Sequence, residues 1–276
     1  MAVVSAAQAA GPPPADLRAC TDQDYTLGPV AAPSGSDVML GPLIFMRLGR
    51  YASRREFEHF RGDGYAMKLP VFVSVGAAVT LDVPASHRDV LKLGYVRNPT
   101  RAAVRIKSCP ARLAAGRYGV LGQVGAFPGG VDLPGPRCAP IRAWLDGQAQ
   151  PLRATLSFGM GRCPLSPTER AVRRGIAAFT EAMQSGVLSR FCAVLLDEAR
   201  RRQGCGTNDG DIGPALTTTI KRASDVKLLW TQGNRATIEI PAFQGNRQFG
   251  RMRLAAGRWR VYELNAPACD AALRCS

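Results

Sequence analysis

Eight cysteines, two histidines and a few acidic side chains carry most of the chemistry this chain can offer. The cysteines are Cys20, Cys109, Cys138, Cys163, Cys192, Cys205, Cys269 and Cys275. No two are spaced C-x-x-C, so the zinc-ribbon and thioredoxin patterns both fail. His59 and His87 lie on unrelated segments, and both read as surface side chains. An even number of scattered cysteines beside so few histidines points to disulfides in an oxidising compartment. Each bridge contributes about 2–4 kcal/mol, and a bridged cysteine has no thiolate for catalysis or metal binding.

Three other stretches have chemical patterns that stop short. "GRYGVLGQVGAFPGG" (116–130) is glycine-rich but lacks the Lys-Ser/Thr ending of a phosphate loop, so its glycines read as turn residues. "GTNDGDIG" (206–213) gathers Asn208, Asp209 and Asp211 around Gly210, without the further ligands and distal Glu of a calcium loop. No G-x-S-x-G is present, so a nucleophile elbow lacks its central residue. No cofactor or metal is expected.

The elements that must position these residues divide at Pro164. Residues 1–37 read as a flexible leader or signal-peptide remnant, with Ala7-Gln8-Ala9 resembling a cleavage site. From Val38 to Cys163, short apolar runs alternate with Gly/Pro turns: 38–49, 69–84, 90–96, 102–109, 139–147 and 152–159. Their spacing suits an antiparallel β-sandwich, with 54–68 a polar excursion between strands. After Pro164 the period changes. Ser166, Pro167 and Glu169 make a capping box, and Val172, Ile176, Phe179 and Met183 follow at helical spacing. Gly186 ends that helix. A second helix turns Leu188, Phe191, Cys192 and Leu195 inward, and Asp197 caps a further short turn. Four strand-like pieces close the chain, so the whole is α+β.

The net charge is +15. It is spread evenly, at +8 over 1–163 and +7 over 164–276, and only five of the 36 cations are lysine. Such a chain presents a generically cationic surface, and a dedicated polyanion site is the alternative. "RMRLAAGRWRVYEL" (251–264) is the test case. On strict alternation Met252, Leu254, Trp259 and Val261 share one face, and Arg251, Arg253, Arg258 and Arg260 share the other. The tryptophan lies opposite the arginines, which argues against a base-stacking surface, so nucleic acid is not the expected partner. No window of about 20 apolar residues exists, so no transmembrane helix is expected.

The stretches 170–205, "GNRATIEI" and "LAAGRWRVYEL" resemble the NTF2-like (SnoaL-like, cone-shaped) domains of actinobacterial secreted proteins. The resemblance covers about 110 residues. It implies helices packed on a curved antiparallel sheet, and a pocket lined by Trp230, Phe243, Trp259 and Glu263. On alternation Glu263 shares a face with Trp259. Pointing inward it would be a desolvated base, and at the open rim it would be an ordinary surface carboxylate. The resemblance also implies a Cys192–Cys205 bridge. An unbroken helix over 188–203 would leave Cys192 roughly 16 Å from its end, at about 1.5 Å per residue. Bridged Cα atoms lie about 4.4–6.8 Å apart, so the pairing requires a break near Asp197.

"FPGGVDLPGPRCAPIRAWLDG" (127–147) and "LSFGMGRC" (156–163) resemble an uncharacterised extracytoplasmic actinobacterial β-sandwich domain, over roughly residues 20–163. The bridges expected there are Cys109–Cys138 and Cys20–Cys163, with Cys269–Cys275 closing the tail. The expectation is then a β-sandwich (38–163) followed by an NTF2-like domain (164–276). It would be a secreted or cell-envelope binding or scaffold protein without catalytic machinery. Two alternatives stand beside it: a protein or enzyme holding a small apolar ligand in the cone pocket, and a binder of polyanions such as an anionic cell-envelope polymer.

Overall fold

In the computed structural model the chain forms two units, Met1–Cys163 and Pro164–Ser276. The structure describes residues 11–22, 36–61, 66–95, 102–110, 124–203, 205, 220–243 and 246–266. Each unit combines helices with antiparallel strands, a mixed α+β architecture.

The N-terminal unit is built from short strands that Gly and Pro interrupt. Its described strands are β1 (Asp16–Arg18), β2 (Val38–Leu40), β3 (Leu43–Phe45), β4 (Ala66–Lys68), β5 (Val71–Ser74), β6 (Ala78–Asp82), β7 (Lys92–Leu93), β8 (Ala103–Lys107), β9 (Val124–Phe127), β10 (Gly130–Asp132), β11 (Arg137–Leu145) and β12 (Leu152–Phe158). They pair in the orders β1-β8-β6-β11-β12, β2-β3-β5-β9 and β4-β10-β7. Continuous apolar runs such as Val71-Phe72-Val73 are buried throughout, as strands covered on both faces require. Phe45, Phe72, Phe127, Val79, Leu81 and Phe158 fill the interior.

Three expectations change here. The leader is not loose throughout, because Asp16–Arg18 pairs parallel to β8 and Cys20 is bridged just beyond it. The polar excursion contains an α-helix, Arg54–Arg61. Ser53 accepts the Glu56 N–H at its start, and Phe57 supplies one fully buried anchor that the surrounding charges obscure. The glycines at 129 and 130 are not simple turn residues. A Cβ on Gly129 would run into the Tyr95 ring and one on Gly130 into the Met67 carbonyl, so they let β10 approach its neighbours closely.

The disulfide connectivity also differs. Cys20 bonds to Cys109 and Cys138 to Cys163, with Cα separations of 4.6 and 5.6 Å, in place of Cys109–Cys138 and Cys20–Cys163. Strand pairing is the reason. Arg18 lies beside Ile106 in the parallel β1–β8 register, so the residues just beyond both strands meet. Cys138 lies opposite Ser157, and the chain leaves β12 through Gly159 and Gly161, both at positive φ, which turn it back toward β11. The Cys269–Cys275 expectation lies outside the described residues.

The C-terminal unit opens with helix Pro167–Gln184. Ser166 Oγ accepts the Glu169 N–H at 3.2 Å, and Glu169 Oε2 accepts the Ser166 N–H at 2.7 Å. Helix Leu188–Ala193 follows, and helix Asp197–Arg202 begins after a break. In that break the backbone of Val194 and Leu196 pairs with Val261. The break brings Cys192 to Cys205, with Cα atoms 5.8 Å apart. The sheet is an antiparallel meander of β13 (Lys227–Gln232), β14 (Arg235–Phe243), β15 (Asn246–Ala255) and β16 (Arg258–Ala266).

The apolar helix face lies on one face of this meander. Val172, Ile176, Phe179 and Met183 join Ile238, Met252, Trp259 and Val261 in a single buried cluster. At roughly 25 cal/mol per Å2 of apolar area, this burial is the main force holding helix to sheet. Gly175 marks the closest approach, since a Cβ there would stand 2.7 Å from Trp259 Cβ and 2.8 Å from its carbonyl oxygen.

Candidate functional site

The sheet of the C-terminal unit has two faces with opposite chemistry, and its register decides which residues share each. Ala236, Ile238, Met252 and Val261 point to the helices. The next rung places Trp230 opposite Thr237, Thr237 opposite Arg251, and Arg251 opposite Glu263. These four lie on the face away from helix Pro167–Gln184.

A β-bulge produces this outcome. Met252 pairs with Val261, but Arg251 pairs with Glu263, leaving Tyr262 as an extra residue in β16. The extra residue reverses the alternation beyond it. Glu263 therefore does not share a face with Trp259, as strict alternation expects. It lies beside Arg251, whose Nη1 donates to Glu263 Oε2 at 3.1 Å. Arg202 approaches the other carboxylate oxygen at 3.7 Å. The carboxylate thus stands between two guanidinium groups.

Of the four expected pocket residues, Trp230 and Glu263 thus lie on one rung, and Trp259 lies on the opposite face under the capped helix. The Phe243 side chain lies outside the described residues. Arg251 also departs from expectation. It is buried, with its side chain only 10% exposed, and is not part of a solvated rim. Arg258 is exposed, and Arg253 and Arg260 are half-buried.

One further rung was not legible in the sequence. Arg235 lies opposite Arg253, and Arg253 lies opposite Arg260. Three arginines from three adjacent strands therefore stand side by side on the face away from helix Pro167–Gln184. Arg253 donates to Glu198 at 3.3 Å, and its guanidinium carbon lies 5.3 Å from the centroid of Tyr262. Burial raises the Tyr262 phenol above its ordinary value. The charges of Arg251, Arg235 and Arg253 oppose that rise without cancelling it. The spacing of 235, 253 and 260 has no signature of its own, because pairing is decided by two hairpin turns. In the turn joining β15 to β16, Ala256 and Gly257 both carry a positive φ, the pattern of a type I′ turn.

The N-terminal unit has its own polar focus. Asp82 is fully buried on β6, opposite Arg142 on β11. Arg142 donates to both Asp82 oxygens, at 3.1 and 2.5 Å, and Trp144 Nε1 donates to Oδ1 at 2.7 Å. This arrangement occupies the carboxylate with fixed donors and ties two strands together. The histidines stand apart from it. His59 is exposed beside Phe60, and His87 Nδ1 meets the hydroxyl of its neighbour Ser86 at 2.9 Å on an exposed turn. All six described cysteines are bridged. Among the described residues no group of three or more His, Cys, Asp or Glu is placed to hold a metal ion. The "GTNDGDIG" loop lies outside them. No described helix is long and apolar enough to cross a membrane.

Comparison with protein-family models, with curated proteins and with solved structures returned no match to this chain.

Proposed function

We propose that the chain is a non-catalytic binding or scaffold protein of the extracytoplasmic space, with a β-sandwich unit followed by an NTF2-like unit. The observation that carries this reading is the set of three disulfides, each closed within one unit. Such bridges persist in oxidising compartments and are removed by reduction in the cytosol. The wiring of the acids supports the non-catalytic half. Glu263, the candidate base, is bonded to Arg251 and approached by Arg202. Asp82 is saturated by Arg142 and Trp144. The space between capped helix and sheet, where a cone pocket would hold a ligand, is occupied by Trp259, Met252 and their neighbours.

The test combines fractionation of the producing cells with alkylation of the unreduced, denatured protein and intact-mass measurement. The expected result is recovery from the envelope or medium with no alkylated thiol. Recovery from the cytosol with several alkylated thiols would overturn the reading.

A further inference from the structure

We propose that the arginine row Arg235–Arg253–Arg260 is a binding site for a linear phosphate-bearing polyanion. The proposal deepens the binding reading above and rests on it.

Like charges placed directly opposite one another across a sheet destabilise it. Here two such contacts occur in succession on one rung, Arg235 to Arg253 and Arg253 to Arg260. Among the described residues only Arg253 of the three has a carboxylate within ion-pair distance, that of Glu198. Arg258, next along the same face of β16, extends the positive patch. Adjacent strands lie about 4.7–4.9 Å apart, so the row is about 10 Å long. That is a line of charge rather than a point. Each guanidinium presents a planar fork of donors that matches two phosphate oxygens. A chain of phosphates crossing the strands would relieve the repulsion within the row, which a single anion would do only in part. Tyr262 lies under Arg253 and Trp259 lies on the opposite face, so among the described residues the row has no exposed aromatic platform for bases.

The whole oxidised chain is titrated with fluorescent long-chain inorganic polyphosphate between 50 and 200 mM salt. Net charge alone attracts a polyanion, so two variants of equal charge are compared. R235Q/R253Q/R260Q removes the row, and R55Q/R153Q/R162Q removes three exposed arginines of the N-terminal unit. The row variant is expected to lose tenfold or more in affinity and to flatten the salt dependence by about two to three units of log–log slope. The control is expected to lose less than threefold. Equal losses in the two variants, or no binding by the unmodified chain, would overturn the proposal. So would equal competition by millimolar inorganic phosphate, or tighter binding of single-stranded DNA or anionic vesicles at matched phosphate. If the triple variant does not fold, the single R235Q, on an exposed side chain, must still weaken binding at least twofold. Binding is read independently of compartment and thiol state, so this result and the export test fail separately.

Discussion

Arg251 and Glu263 stand directly opposite one another on β15 and β16, and the bulge at Tyr262 is what brings them to the same face. The pair is mostly buried, with the two side chains 10% and 23% exposed. Glu263→Gln removes the countercharge from a guanidinium that has little access to water. The expected cost is about 2 kcal/mol, the scale of a hydrogen bond to a charged group. Urea unfolding of the oxidised protein checks it. A loss under about 0.5 kcal/mol, the range of ordinary surface substitutions, would show that the pair is not structural.

Asp82 gives a larger effect. Asp82→Ala leaves Arg142 and the Trp144 indole N–H without their shared acceptor, at an expected cost of about 3–5 kcal/mol. Trp144 is buried beside it, so loss of native tryptophan fluorescence at lower denaturant reports the change. An unchanged unfolding midpoint would contradict the arrangement.

Gly175→Ala sets two effects against each other. Alanine favours the helix by about 1 kcal/mol. The added Cβ, however, meets Trp259 backbone and side chain below 3 Å. Backbone cannot swing aside as a flexible side chain can, so overpacking wins, and a net loss of about 1–2 kcal/mol is expected. Thermal unfolding decides the sign, and a raised midpoint would mean that helix and sheet are less tightly seated.

Tyr95 makes stability depend on alkaline pH. Its ring is fully buried, its hydroxyl donates to the Leu69 carbonyl at 2.7 Å, and burial raises its pKa well above the usual 10. The folded state therefore holds this proton more tightly than the unfolded state does. The resulting stability is complete below about pH 10 and is lost as pH rises beyond it. Tyr51 and Tyr262, both shifted upward by burial, act in the same direction. Tyr95→Phe is expected to flatten the decline in unfolding free energy above pH 10. An identical slope in the variant would assign the alkaline sensitivity elsewhere.

Local chemistry was legible in the sequence wherever it acts over a few residues. Ser166 and Glu169 cap the long helix because each reaches the other's backbone N–H within one turn. The alternation that puts Met252, Trp259 and Val261 in the core is equally local, and so is the inference of disulfides from eight cysteines and two histidines. The amphipathic helix at Arg54–Arg61 was missed because Phe57 is its single fully buried side chain among charged neighbours. Tertiary structure decided what depends on partners far away in the chain. Cys20 meets Cys109 across 89 residues through the parallel β1–β8 pairing, which no spacing rule encodes. The side taken by Glu263 depends on one extra residue in β16, and a bulge exists only relative to the strand beside it. The three-arginine row has the same origin. Each arginine obeys its own strand's alternation, but their meeting on one rung is set by two separate hairpin registers.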